Sequence, residues 1–91
     1  MKKKIYCVFD KVGEEMSTTL MLANNEKFYL RDMSTCRLPA VMAEHIEDFD
    51  IYCLGEVDTE TLEVVPEKKF ISHLGTIRKQ VEAHEQDIPN S

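Results

Sequence analysis

His45, Glu47, Asp48 and Asp50 stand close together in the chain, and an imidazole beside several carboxylates is a donor set that can hold a divalent cation. The pattern falls short of a calcium loop. That loop needs D-x-[DN]-x-[DN]-G, and here Tyr52 occupies the third ligand position with no glycine after it. The run reads instead as a solvated acidic approach to a strand, with Asp48 or Asp50 turning the chain. Cys7, Cys36 and Cys53, with His45, His73 and His84, contain the parts of a nucleophile and its base. No motif ties any thiol to any imidazole. The cysteines are odd in number and form no C-x-x-C pair, which predicts buried reduced thiols in place of a disulfide framework or a zinc site. No catalytic residue, metal ligand or cofactor site is predicted, and the expectation is that the chain is not an enzyme.

The remaining chemistry is binding. Tyr6 and Tyr52 lie in the two clearest strand patterns. If those strands pair, Tyr6, Val8, Tyr52 and Leu54 are expected side by side on one sheet face. Bases of single-stranded DNA can stack on such rings, with Lys2, Lys3 and Lys4 alongside for phosphate. The competing reading is that a helix or a second subunit covers this face.

The elements that would position these residues follow from periodicity. Ile5, Cys7 and Phe9 alternate with Tyr6, Val8 and Asp10, which predicts a strand over residues 3–9. Lys11 to Glu15 forms the following turn, and Thr18 to Leu22 is a candidate second strand. Asn25 is placed to cap a helix over residues 25–37, with Glu26 in its first turn and Phe28, Tyr29 and Met33 at helical spacing, and Phe28 and Met33 are expected to pack on the strand face of Phe49, Ile51 and Cys53. Pro39 suits the first turn of a short helix, Ala40 to Glu44, with Met42 facing inward.

Asp48 to Val57 is the second strand pattern, with Phe49, Ile51, Cys53, Gly55 and Val57 on one face and Tyr52 and Leu54 on the other. Asp58 to Thr61 turns the chain, Leu62 to Val65 returns as the partner strand, and Pro66 closes it. Glu67 to His84 reads as a helix, because Phe70, Leu74, Ile77 and Val81 recur as a short apolar stripe. Gly75 inside it costs roughly 1 kcal/mol against Ala.

Ninety-one residues make one small domain whose core is thin, since a chain of this size buries only ~60–65% of its unfolded surface. No apolar run approaches a membrane span. The basic start, Met1 to Lys4, leads into an apolar stretch that Asp10 and Lys11 stop, so it does not read as a secretory signal. The net charge is −6. Its distribution says more than its sum: Leu38 to Glu67 contains Glu44, Glu47, Asp48, Asp50, Glu56, Asp58, Glu60, Glu63 and Glu67 without one Lys or Arg. Phosphate binding by that stretch is disfavoured.

The ordered run Glu47-Asp-Phe-Asp-Ile-Tyr52, Leu54-Gly55, Asp58 and Glu60-Thr61 resembles the signature of the small nonstructural protein of gokushoviruses, single-stranded DNA phages of the microvirus group. The opening Met-Lys-Lys-Lys-Ile-Tyr-x-Val-x-Asp agrees, as do Ala23-x-Asn25 with Leu30-Arg31, and then Pro39 and His45. The resemblance covers roughly residues 1–66. The chain departs from the family at Ile46, where Pro is usual, at Leu20-Met21, which replaces a Pro-Phe pair, and at Leu62, where Gly is usual. Glycine there would suit a positive-φ bulge that Leu resists. The extension after Pro66 is also longer than in that family.

The resemblance implies a protein made in the infected bacterium that assists genome synthesis, at the switch from duplex replication to single-strand production or packaging, and that is no part of the capsid. The combined expectation is an α+β fold: a small antiparallel sheet, a helix on one face and a C-terminal helix. Residues 1–66 are expected to form the core domain, and residues 67–91 a helix and frayed tail used for packing or dimerisation. Phe70, Leu74, Ile77 and Val81 are the expected homodimer contacts. The expected function is a non-enzymatic accessory role in viral genome replication or packaging, through contacts with a viral or host replication protein in the bacterial cytoplasm, with no membrane partner. Alternatives are a single-stranded DNA-binding module, with Lys2, Lys3, Lys4, Tyr6 and Tyr52 as contacts, and a host-directed inhibitor whose acidic face imitates DNA.

Overall fold

The computed structural model describes residues 1–79. The fold is α+β. Its strands are β1 (Lys2–Asp10), β2 (Glu15–Met16), β3 (Met21–Ala23), β4 (Phe49–Asp58) and β5 (Val64–His73). Between β3 and β4 lie helices α1 (Glu26–Thr35) and α2 (Ala40–Glu44) and a single 3₁₀ turn, Ile46–Asp48. Residues 74–79 are helical. All pairings are antiparallel, in the order β2-β1-β4-β5, and β3 shares with β2 the outer edge of β1.

Local chemistry explains most boundaries. Asp10 Oδ1 accepts from the backbone N–H groups of Val12 and Gly13 at 3.0 and 3.1 Å, an Asx-type turn that ends β1. Asn25 caps α1, its Oδ1 accepting from Phe28 N at 3.0 Å, with Glu26 in the first turn. At the other end of α1, the Arg78 guanidinium donates to the carbonyls of Met33 at 3.1 Å and Cys36 at 2.7 Å. These are carbonyls a helix terminus leaves open, and a cation is favoured there. Pro39 stands at the N-cap of α2, and Met42 is buried as expected.

Three expectations are corrected. The second strand is not Thr18 to Leu22. Its chain forms β2 and β3, and Thr18 lies between them, where its hydroxyl accepts from Val8 N at 3.1 Å. Pro66 does not close β5, which runs on to His73, so 67–73 is strand where a helix was expected and β5 crosses the expected boundary at residue 66. Proline is tolerated because β5 is an edge strand, where a missing N–H need not break a ladder. Finally, Phe28 does not face the core. It is exposed, and its neighbour Tyr29 takes the inward position.

The core lies between the sheet and its helices. Tyr6, Val8, Phe49, Ile51 and Cys53 come from β1 and β4, Tyr29 and Met42 from α1 and α2, and Leu74 and Ile77 from the C-terminal helix. Tyr6 and Tyr29 stack with centroids 4.4 Å apart and planes 10° from parallel. Burial pushes the Tyr6 phenol up to about 12 and that of Tyr29 well above its ordinary range. The Tyr29 hydroxyl is buried without a hydrogen-bond partner among the described residues.

Candidate functional site

The register of β1 against β4 decides which side chains share a face. Ile5 pairs with Gly55, but Tyr6 pairs with Cys53, so Leu54 is an extra residue and forms a bulge. Gly55 enables it with φ +134°, a conformation that side chains rarely adopt. A Cβ there would lie 2.2 Å from the Val65 carbonyl oxygen. Beyond the bulge, Tyr6 and Val8 stand with Cys53 and Ile51 in the core, while Cys7 pairs with Tyr52.

The expected platform of Tyr6 beside Tyr52 is therefore not formed: the two rings are on opposite faces. Tyr6 is 1% exposed and cannot receive a base. The lysine run stands opposite acidic positions of β4. Lys2 pairs across the ladder with Asp58, Lys4 with Glu56, and Lys3 with Val57. The expected dimer stripe is also redistributed. Leu74 and Ile77 are spent in the chain's own core, Phe70 stands on β5, and Val81 lies outside the described residues.

A different constellation occupies the face opposite the helices. Phe9 on β1, Tyr52 on β4, and Phe70 and His73 on β5 form a continuous ladder of rings. Phe9 and Tyr52 meet edge-to-face at 6.2 Å, Tyr52 and Phe70 at 5.8 Å, and Phe70 and His73 at 5.0 Å. The Lys68 ammonium lies 5.5 Å from the centre of the Tyr52 ring, within cation–π range. Cys7, Phe9, Tyr52, Leu54 and Lys68 together line a shallow, mostly apolar depression. Burial pushes the Cys7 thiol up, which keeps it protonated and weakly nucleophilic.

At one end of the ladder sits Asp50, a buried carboxyl group. Its Oδ1 lies 2.7 Å from His73 Nδ1 and 3.5 Å from Lys11 Nζ. A buried carboxylate needs such partners. An Asp–His pair is also the orienting half of a nucleophile–base arrangement, yet among the described residues no hydrogen bond joins the imidazole to a hydroxyl or thiol. Among the described residues no three His, Cys, Asp or Glu side chains converge as a metal site, and Asp50 points to Lys11 and His73 in place of His45 and Glu47. Phe9, Phe70 and His73 were not expected in one site. Reading Glu67 to His73 as a strand would have aligned Phe70 and His73 with Tyr52 and Asp50.

No helix among the described residues is long and apolar enough to cross a membrane. Residues 3–79 match the model of a protein family described as phage ORF5 protein. No curated protein and no solved structure matches the chain significantly. The match spans most of the sequence, and the chain belongs to that phage family.

Proposed function

We propose that this member of the phage ORF5 protein family is a non-enzymatic accessory protein of a gokushovirus-like single-stranded DNA phage. It serves genome replication or packaging in the host cytoplasm by holding a partner on the ladder-bearing face of the sheet. One observation carries the reading. The face bearing Phe9, Tyr52 and Phe70 has no helix over it among the described residues, and it keeps Phe70 46% exposed. An aromatic patch left at the surface of a small domain is a recognition surface more often than a packing fault. The phage affiliation and the resemblance of residues 1–66 to gokushovirus nonstructural proteins supply the setting.

The test is a phage carrying Phe70→Ala in this gene. Duplex and single-stranded viral DNA are measured through infection. The expected result is normal early duplex followed by a deficit of single strands or of packaged genomes. Normal amounts of both, with normal progeny, would overturn the proposal.

A further inference from the structure

We infer that the occupant of this sheet face is single-stranded DNA, with bases stacking on Tyr52 and Phe70 and Lys68 meeting a backbone phosphate. The inference rests on the functional reading above and names its partner. Its basis is the combination of rings and charge on one surface. Tyr52 and Phe70 stand on adjacent strands 5.8 Å apart and nearly perpendicular. Phe70 is 46% exposed, while half-buried Tyr52 carries the Lys68 ammonium over its ring and opens to a base only as Lys68 moves onto the phosphate. Stacking on such rings is tolerant of base identity, which suits a protein that must act along a whole genome.

The charges segregate in the same sense. Lys68 belongs to the ladder face, whereas Glu67 and Lys69 line a depression with Lys4, Cys53 and Glu56. Asp50 is a carboxylate that meets the ladder, through His73. It is 5% exposed and held between His73 and Lys11, so it does not present bare negative charge to a phosphate. Of the nine carboxylates of residues 38–67, Asp58, Glu60 and Glu63 lie at the β4–β5 turn and Glu56 and Glu67 line the separate depression, so at least five are off the ladder face. Duplex DNA does not fit this surface, because its bases are already stacked on one another and so few cations reach its phosphates.

The experiment is fluorescence anisotropy of the full chain with labelled oligothymidine and with a duplex of equal length, at about 50 mM salt. The oligothymidine is expected to bind at least about tenfold tighter than the duplex. Phe70→Leu, which keeps the apolar bulk and removes the ring, should weaken binding about fivefold or more, and Phe70→Tyr should restore it. Lys68→Ala should lower the log–log salt slope by about 0.7. Phe28→Ala removes an equally exposed ring from α1 and should change nothing.

No oligothymidine binding at about 100 μM, or binding indifferent to Phe70→Leu, would overturn the inference. So would a dimer by sedimentation that Phe70→Leu dissolves, since the face would then be filled by a second copy. If oligothymidine fails to bind while phage carrying Phe70→Ala still lose single-stranded genomes, the inference falls and the accessory role stands. If oligothymidine binds as expected and those phage are normal, the role falls and the binding site stands.

Discussion

Phe49 and Phe70 are the same residue on neighbouring strands of one sheet, and they face opposite ways. Phe49 is 2% exposed among Ile51, Tyr29, Met42 and Leu74, whereas Phe70 is 46% exposed and touches Tyr52 and His73. The inner face packs Phe49 and one parallel Tyr pair among aliphatic and sulfur-bearing side chains. The outer face is built from rings meeting edge-on, with a lysine over one of them. A core needs shape-filling groups in single rotamers. A binding surface gains from large, rigid, amphipathic groups that lose little conformational entropy on contact. The two faces carry these two chemistries.

The most direct way to break the comparison is to truncate both rings. Phe49→Ala is expected to cost about 3–5 kcal/mol, enough to unfold most molecules of so small a domain. Phe70→Ala should cost about 1 kcal/mol or less, because water already reaches half the ring. Urea melts of both variants decide it. Equal losses would mean that the outer face is also core.

The bulge is the next target, because it sets which residues belong to which face. Gly55→Ala forces a side chain into φ +134° and drives its Cβ against the Val65 carbonyl, which backbone cannot readily yield. A loss of about 3 kcal/mol is expected. If melts show the variant as stable as the parent, the bulge is soft, and Tyr6 is free to slip to the outer face.

Within the core, the Tyr29 hydroxyl is a defect that can be removed. Tyr29→Phe keeps the stack on Tyr6 and deletes a buried donor that has no partner among the described residues. A gain of about 1 kcal/mol is expected in the urea midpoint. A loss of similar size would show that the hydroxyl holds an internal water, and that the inner face is less dry than its apolar lining suggests.

These residues also show what the sequence made legible. Alternation along β4 gave the inward set Phe49, Ile51 and Cys53, but Gly55 and Val57, expected with them, lie on the other face because the bulge at Leu54 reverses the alternation. Asn25 and Glu26 marked the start of α1. The face of β1 was not legible, because alternation defines two sets without saying which is buried, and one extra residue at Leu54 exchanges them. The β5 strand was hidden for another reason. Glu67, Lys68 and Lys69 are good helix formers, and Phe70, Leu74 and Ile77 match a helical stripe by coincidence of a strand ending where a helix begins. Two register shifts against β4 further blur the period. The site was missed with β5, since two of its four rings lie there.

The smallest expected effect lies in the turn that joins β4 to β5 and so carries both Tyr52 and Phe70. Asp58 Oδ1 accepts from Glu60 N at 2.9 Å and Thr61 N at 3.3 Å, and these bonds hold its carboxyl below the usual carboxylate range. Leu62 closes the turn at φ +66°, its N–H donating to the Asp58 carbonyl at 2.8 Å. The positive φ expected of a glycine is therefore adopted by Leu, which is 75% exposed and gains little from burial. A left-handed conformation costs a branched L-residue about 1–2 kcal/mol, and glycine returns roughly half of that through the greater freedom of its unfolded chain. Leu62→Gly should then stabilise the protein by about 0.5–1 kcal/mol. The turn touches neither face, so the gain should add to the loss from Phe49→Ala and leave the difference between Phe49→Ala and Phe70→Ala unchanged to within about 0.5 kcal/mol. Melts of the double variants measure this. A non-additive result with Phe70→Ala alone would place the turn in contact with the outer face, and the surface open to a partner would be smaller than the ladder of rings implies.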